Sequence, residues 1–256
     1  MMLDQIVATT RKLLEKRKIE KPLAQIERDL SQQSSPRDLA KALRGENVKL
    51  IAEIKRASPS KGIFCPKLDS GTLAEVYTRG GASAISVLTE PQYFRGSLTD
   101  LERVKAEVDL PILCKDFIVD PYQLYEARSC GADSVLIIAA VLSQEEMQEL
   151  LDIIHSLDME ALVEVHNRKE VDRALALNPS VIGINNRNLT DFSVDLDTTL
   201  KLRSFIPGDK VVVSESGIHS RADVLKLESA GIDAVLVGEA LVLSSDPAMK
   251  IKELLG

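Results

Sequence analysis

Short uninterrupted apolar runs alternate with amphipathic stretches along almost the whole chain. Three segments share one design: Gly80-Gly-Ala-Ser-Ala-Ile-Ser-Val-Leu88, Cys130-Gly-Ala-Asp-Ser-Val-Leu-Ile-Ile138 and Ala230-Gly-Ile-Asp-Ala-Val-Leu-Val-Gly238 each read as a helix end, a glycine stop and a strand. Glycine just past a helix adopts the left-handed conformation that ends it, and four or five consecutive apolar residues suit a strand covered on both faces, as in parallel sheets. Further runs at Lys49–Ile54, Pro111–Cys114, Ala161–Val165, Val181–Ile184 and Lys210–Val213 bring the strands to about eight, spaced by roughly 20 to 35 residues. Between them lie helical patterns such as Ser143–Ile154, where Met147, Leu150, Leu151 and Ile154 recur at helical spacing beside Glu145, Glu146 and Glu149. An open doubly wound sheet shares this alternation. About eight β/α units without a GxGxxG fingerprint after the first strand favour a (β/α)8 barrel, an α/β fold of the TIM type.

Residues 1–48 precede the first strand and read as one or two helices, with Leu3, Ile6, Val7, Leu13 and Leu14 on an apolar side and a second helix opening at Ser35-Pro36. They form a helical N-terminal extension of a single barrel domain spanning residues 1–256. The charged run Glu15–Lys21 reads as a solvated helix end and loop.

In a β/α barrel the reacting groups sit at the carboxyl ends of the strands and on the loops that follow. Here those positions are polar: Glu53-Ile-Lys55 on strand one, Lys115-Asp116-Phe117 on strand three, Glu164 on strand five, Asn185-Asn-Arg-Asn188 on strand six and Ser214-Glu-Ser-Gly217 on strand seven. A strand repeats every two residues, so Glu53 and Lys55 share a face, and in a barrel that face is the inside. With Lys115 and Glu164 converging on the same mouth, two lysines and two or three carboxylates share a small, water-poor volume suited to proton transfer. Ser216-Gly217 and Gly238-Glu-Ala-Leu241, after the last two strands, offer glycine turns running into helix starts, where backbone N–H groups receive a phosphate. The Ser58-Pro-Ser-Lys-Gly62 loop lacks Walker spacing and reads as a mobile lid over the mouth.

Composition narrows the function further. A formal charge of -7 with 45% hydrophobic residues in 256 gives a globular chain without the basic surface a nucleic-acid partner requires. The N-terminal stretch is broken by Asp4 and followed by Arg11, Lys12 and Glu15, so neither a signal peptide nor a membrane span is expected, and Cys65, Cys114 and Cys130 without CxxC spacing fit a reducing cytoplasm. His155, His166 and His219 lack metal spacing and read as surface or capping residues. Cys114 reads as strand packing.

Several of these segments together resemble a known family. Ile51-Ala-Glu-Ile-Lys-Arg-Ala-Ser-Pro-Ser60, Ser86-Val-Leu-Thr-Glu90 with Tyr93-Phe-Arg-Gly-Ser97, Leu113-Cys-Lys-Asp-Phe117, Leu162-Val-Glu-Val-His166, Gly183-Ile-Asn-Asn-Arg-Asn-Leu189 and Ser214-Glu-Ser-Gly-Ile218 resemble the indole-3-glycerol phosphate synthases of tryptophan biosynthesis. The resemblance implies decarboxylating, dehydrating ring closure of 1-(2-carboxyphenylamino)-1-deoxyribulose 5-phosphate, with no cofactor. No metal site is expected, and a monomer or weak homo-oligomer is the expected working form. By position in those motifs, Lys115 resembles the general acid and Glu164 the acid-base carboxylate of the dehydration. Lys55 with Ser58 would hold the anthranilate carboxylate, and Glu53 would position Lys115. Asn185 and Arg187 would contact substrate, and Glu215 the ribulose hydroxyls. Ser216, Gly217, Gly238 and Glu239 would surround the phosphate, while Phe94, Phe117, Leu136 and Leu189 would form the slot for the aromatic ring. Some relatives carry serine at the place of Glu239, whose carboxylate would have to turn away from a phosphate. A phosphoribosylanthranilate isomerase-like barrel is the nearest rival, but strand one ends in Glu53 and Lys55 where that design resembles a cysteine; a non-catalytic phosphate-binding barrel would not need Lys55, Lys115 and Glu164.

Overall fold

The computed structural model describes residues 2–59 and 61–256. Eight parallel strands close into a barrel in which each strand bonds to its neighbours in sequence and the last bonds to the first. They are β1 (Lys49–Ile54), β2 (Ala84–Leu88), β3 (Ile112–Lys115), β4 (Ser134–Ile138), β5 (Glu160–Val165), β6 (Val181–Asn185), β7 (Val211–Glu215) and β8 (Ala234–Val237). The helices between them pack on the outside, and most begin where a short polar side chain turns back on the first turn. Asp69, Ser97, Asp120, Ser143, Asn167, Ser220 and Asp246 each accept a hydrogen bond from a backbone N–H two or three residues on.

The two-residue period of the strands sorts their side chains into two cores. Outward-facing Leu50, Ile85, Ile112, Val135, Val163, Ile182, Val212 and Val235 join the helix layer in one large cluster. Inward-facing Ile51, Ala84, Leu113, Leu136, Leu162, Val181, Val213 and Leu236 fill the barrel as a second cluster. Two residues further along the same inward rows stand Glu53, Lys115, Glu164, Gly183, Glu215 and Gly238. The alternation that fills the interior with aliphatic side chains thus delivers charge to its carboxyl-terminal rim.

The N-terminal extension holds three helices, α1 (Met2–Glu20), α2 (Leu23–Leu30) and α3 (Leu39–Ala42). Ser35-Pro36, read from the sequence as a helix start, lies in the segment before α3, whose cap is Asp38 accepting from Lys41 N at 2.7 Å. The Glu15–Lys21 run is only partly solvated. Arg17 pairs with Glu126 and Lys18 with Asp120 at 2.6 Å, both partners belonging to the helix that follows β3, so this end of α1 docks on the barrel. Leu39 and Leu43, fully buried, close the amino-terminal end of the barrel. Ala40 N donates to Glu160 Oε2 at 2.6 Å, and the fully buried Asp133 accepts from Arg37 N at 3.0 Å, Lys105 Nζ at 2.7 Å and Ile112 N at 2.9 Å. Among the described residues no helix is long and apolar enough to cross a membrane.

Asp133 ties the extension, β3 and the helix before it to one buried carboxylate, so its removal strands two backbone N–H groups and an ammonium together. We expect Asp133→Ala to lose ~3 kcal/mol or more of stability, or about 6–12 °C in melting temperature for a chain of this size. Calorimetry on the two proteins checks this.

Candidate active site

At the carboxyl end of the barrel, Lys115 from β3 is surrounded by three carboxylates. Its Nζ lies 2.8 Å from Glu215 Oε2, 3.5 Å from Glu53 Oε2 and 4.0 Å from Glu164 Oε2. Lys55, one residue past β1, reaches the other oxygen of Glu53 at 2.6 Å. Burial disfavours an ammonium here, but the attraction of Glu215, Glu53 and Glu164 outweighs it and raises the pKa of Lys115, which stays charged. Burial acts on the carboxylates too. For Glu53 it is overcome by Lys55 and Lys115, which hold its pKa below the ordinary value. For Glu164 it is overcome by His166, Lys115 and Asn185, which bring it down to about 2. For Glu215 burial prevails even beside Lys115, with Glu164 and Glu53 adding repulsion, and the pKa rises to about 7.

Two glycines in inward-facing rows make room for these groups. A Cβ at Gly183 would stand 2.3 Å from Glu215 Oε1 and 2.5 Å from Leu162 Cδ2, and one at Gly238 would stand 2.4 Å from Glu53 Oε1. Each carboxylate therefore lies over a neighbouring strand's bare backbone.

Above the rim opens a cavity of about 390 Å³, within the range of sites for small organic molecules. One wall is apolar: Phe94 and Phe117, with ring centroids 6.1 Å apart and planes tilted by 37°, stand near Leu136, Ile138, Leu189 and the start of α1 at Leu3 and Ile6. The loop presenting Phe94 hangs on Glu90, whose carboxylate accepts from the backbone N–H groups of Gln92, Tyr93 and Phe94 at 2.9, 2.6 and 3.0 Å. The opposite wall is backbone-rich. Ser216 and Gly217 both adopt positive φ, 68° and 80°, and Gly238 begins the short helix Glu239–Val242 without a side-chain cap. Next to it Ala57–Ser58 and Gly62–Ile63 pair as an antiparallel hairpin, and Lys61 of that hairpin reaches Glu239 Oε1 at 2.5 Å. Among the described residues no group of three or more His, Cys, Asp or Glu side chains is arranged to hold a metal ion.

Residues 3–254 match the family of indole-3-glycerol phosphate synthases. The chain belongs to that family. It is 52% identical over 259 residues to the indole-3-glycerol phosphate synthase of Dehalococcoides mccartyi, covering 100% of each, and 46% identical over 257 residues to that of Albidiferax ferrireducens, covering 99% of this chain and 97% of the other. Solved structures similar in fold include a 3-hexulose-6-phosphate synthase (TM-score 0.64, 17% identity, covering 81% of this chain and 98% of that one) and a thiamine phosphate pyrophosphorylase from Pyrococcus furiosus (TM-score 0.62, 19% identity, 83% and 95%). As a member of that family, the chain is a lyase of tryptophan biosynthesis.

The cavity gathers nearly all the residues singled out from sequence. Glu53, Lys55, Ser58, Phe94, Lys115, Phe117, Leu136, Glu164, Asn185, Arg187, Leu189, Ser216, Gly217, Gly238 and Glu239 line it. Glu215 does not. It lies 1% exposed beneath the floor, one oxygen on Lys115 and the other, Oε1, over Gly183 without a hydrogen-bond partner among the described residues. The loop Ser58–Gly62, read as a lid, belongs to the hairpin of Ala57–Ser58 with Gly62–Ile63, and Ser60 lies outside the described residues.

The reading of His166 as a surface or capping residue is overturned. Its side chain is 11% exposed and stands between Glu164 and Glu170, because β5's inward row continues from Leu162 through Glu164 to 166. That parity, with a glutamate four residues on, was the available signal. Met2, Leu3 and Ile6, which help to close the cavity, carried no signal beyond being apolar.

Two outcomes follow from this geometry. Gly183→Ala should push Glu215 off Lys115 and lower kcat/KM about 10-fold or more, with far-UV circular dichroism unchanged. His166 has its pKa raised to about 10 from 6.5: burial opposes the charge, but Glu164 and Glu170 prevail. Its stabilising contribution is therefore whole below pH 6.5 and is lost as pH rises towards about 10. The gap in urea midpoint between wild type and His166→Gln should shrink over that window.

Proposed function

We propose that this rim and cavity carry out the family's ring closure directly, with substrate 1-(2-carboxyphenylamino)-1-deoxyribulose 5-phosphate seated between the aromatic wall and the backbone-rich turns. The observation that carries this reading is an ammonium and a carboxylate held 4.0 Å apart in opposite, fixed charge states at one cavity, Lys115 above its ordinary pKa and Glu164 at about 2. The reaction needs such a pair. The ring carbon bearing the carboxylate attacks the ribulose ketone carbon, and Lys115 gives its proton to the ketone oxygen as the new C–C bond forms. The bond to the carboxylate then breaks, carbon dioxide leaves, and the electron pair left behind restores the aromatic ring. In the dehydration the hydroxyl departs as water while the CH2 beside nitrogen gives up a proton, and Glu164 handles these protons.

Lys55, with Ser58 beside it in the cavity lining, takes the substrate carboxylate, exchanging part of its pairing with Glu53 for it. Asn185 and Arg187 orient the substrate; Arg187 is itself held by Phe192 O at 3.2 Å and by Asn185 Oδ1, which accepts from its backbone N at 3.0 Å. Phe94, Phe117, Leu136 and Leu189 enclose the ring. The phosphate sits on backbone N–H groups at Ser216, Gly217, Gly238 and Glu239. The Glu239 side chain, which would repel it, is turned to Lys61. Glu215 reaches the ribulose hydroxyls only through Lys115. Three free cysteines support a reducing cytoplasm as the working compartment, and we assign a monomer or weak homo-oligomer as the working form.

Incubation with the carboxyphenylamino substrate and detection of indole fluorescence tests the activity. Lys115→Ala should lower kcat by about three orders of magnitude with the fold retained, and Glu164→Gln by about 100-fold or more with KM little changed. Near-normal turnover in either variant removes that residue from the chemistry.

A further inference from the structure

Behind Glu164, on the side away from Lys115, the structure has built an anchored imidazole. Glu170, in the first turn of the helix Arg168–Leu175, accepts from His166 N at 2.7 Å and lies 3.1 Å from His166 Nδ1, while its other oxygen accepts from the Asn167 side chain. Asn167 in turn caps the helix by accepting from Glu170 N at 3.0 Å. Backbone and ring of one residue are thus fixed by one carboxylate. The remaining nitrogen, Nε2, is buried and stands 3.3 Å from Glu164 Oε1, off the line of a good hydrogen bond, so the contact is first of all an ion pair.

Two carboxylates on either side of an imidazole at these distances call for the doubly protonated ring. The charged groups facing it are Glu164 from β5 and Glu170 from the helix; Lys115 of β3 and Asn185 of β6 reach Glu164 from beyond. His166 is not among the residues lining the cavity. We propose that His166, clamped by Glu170, is a positioning residue that holds Glu164 at the cavity rim, as a carboxylate, for its proton transfers. A helix cap is thereby coupled to the chemistry: Glu170, bonded to the capping Asn167, also fixes the cation that fixes Glu164. Without that cation Glu164 has Lys115 and Asn185 on its cavity side and nothing opposing their pull, so both its place and its charge loosen.

This inference rests on the role given to Glu164, and the test separates the two. kcat and KM are measured as functions of pH for wild type, His166→Ala, His166→Gln, Glu170→Gln and Glu164→Gln, with circular dichroism and melting curves on each. His166→Ala should lose about 10- to 100-fold in kcat with KM within about threefold, and the acid limb of its kcat profile should move up by about one pH unit. His166→Gln, which keeps a donor but no charge, should recover part of the rate while its acid limb moves as in His166→Ala. Glu170→Gln should change both quantities in the same direction by less, and it gives the answer should His166→Ala fail to fold. A packing role alone would lower the melting temperature and leave kcat and the acid limb in place; that result in the His166 variants, or a kcat raised by the substitution, overturns the proposal. If Glu164→Gln is inactive while the His166 variants match wild type, only this inference fails. If Glu164→Gln turns over normally, the catalytic reading beneath it fails too.

Discussion

A lysine ammonium cannot be taken out of water unless negative charge meets it, and the rim of this barrel depends on that constraint. Lys115 is 13% exposed and has three carboxylates around it, so its charge is secure while theirs are not all equally so. Glu53 is shared with Lys55, Glu164 is backed by His166, and Glu215 has Lys115 alone. The differing pKa shifts follow from that inequality: each acid is charged in proportion to the cations it can reach. Remove the central ammonium and the three acids repel across a water-poor floor, so the geometry on which substrate handling depends is itself held by the group that reacts.

Stability and chemistry are kept at opposite ends. The amino-terminal end of the barrel is closed by Leu39 and Leu43 and tied by Asp133 and Glu160 to backbone N–H groups. The carboxyl-terminal rim carries the buried Glu215 Oε1, with no partner among the described residues, and the cavity above it. Aliphatic packing in the barrel interior separates the two, which allows the rim to stay polar and strained in its electrostatics without opening the fold.

Much of this was legible in the letters because a strand's period of two is unforgiving. Once Ile51, Leu113 and Leu162 are inward, Glu53, Lys115 and Glu164 must be as well, and the predicted convergence of these groups needed no coordinates. The apolar runs stop one or two residues before the strands do at Lys115, Asn185 and Glu215, because a polar residue breaks the run while the strand carries it into the mouth. His166 lies one step further along the inward row of Leu162 and Glu164, and the lack of metal spacing around it says nothing of its burial. Glu215 shares the inward parity, but parity gives direction and not depth, and its side chain lies beneath the cavity floor. The helix expected to open at Ser35-Pro36 begins instead at Leu39, where Asp38 supplies the cap that Ser35 does not.

The aromatic wall is hung differently from the rest of the cavity. Phe94 stands where it does because the three backbone N–H groups from Gln92 to Phe94 converge on one side chain, Glu90, which is itself 1% exposed. A loop suspended from a single buried hook keeps its shape under changes to its own outward residues and loses it under a change to the hook. Diversification of what this barrel accepts therefore has an easier route through Leu136 and Leu189 on the facing elements than through the Phe94 loop, whose reshaping would require a new way to satisfy three amides at once.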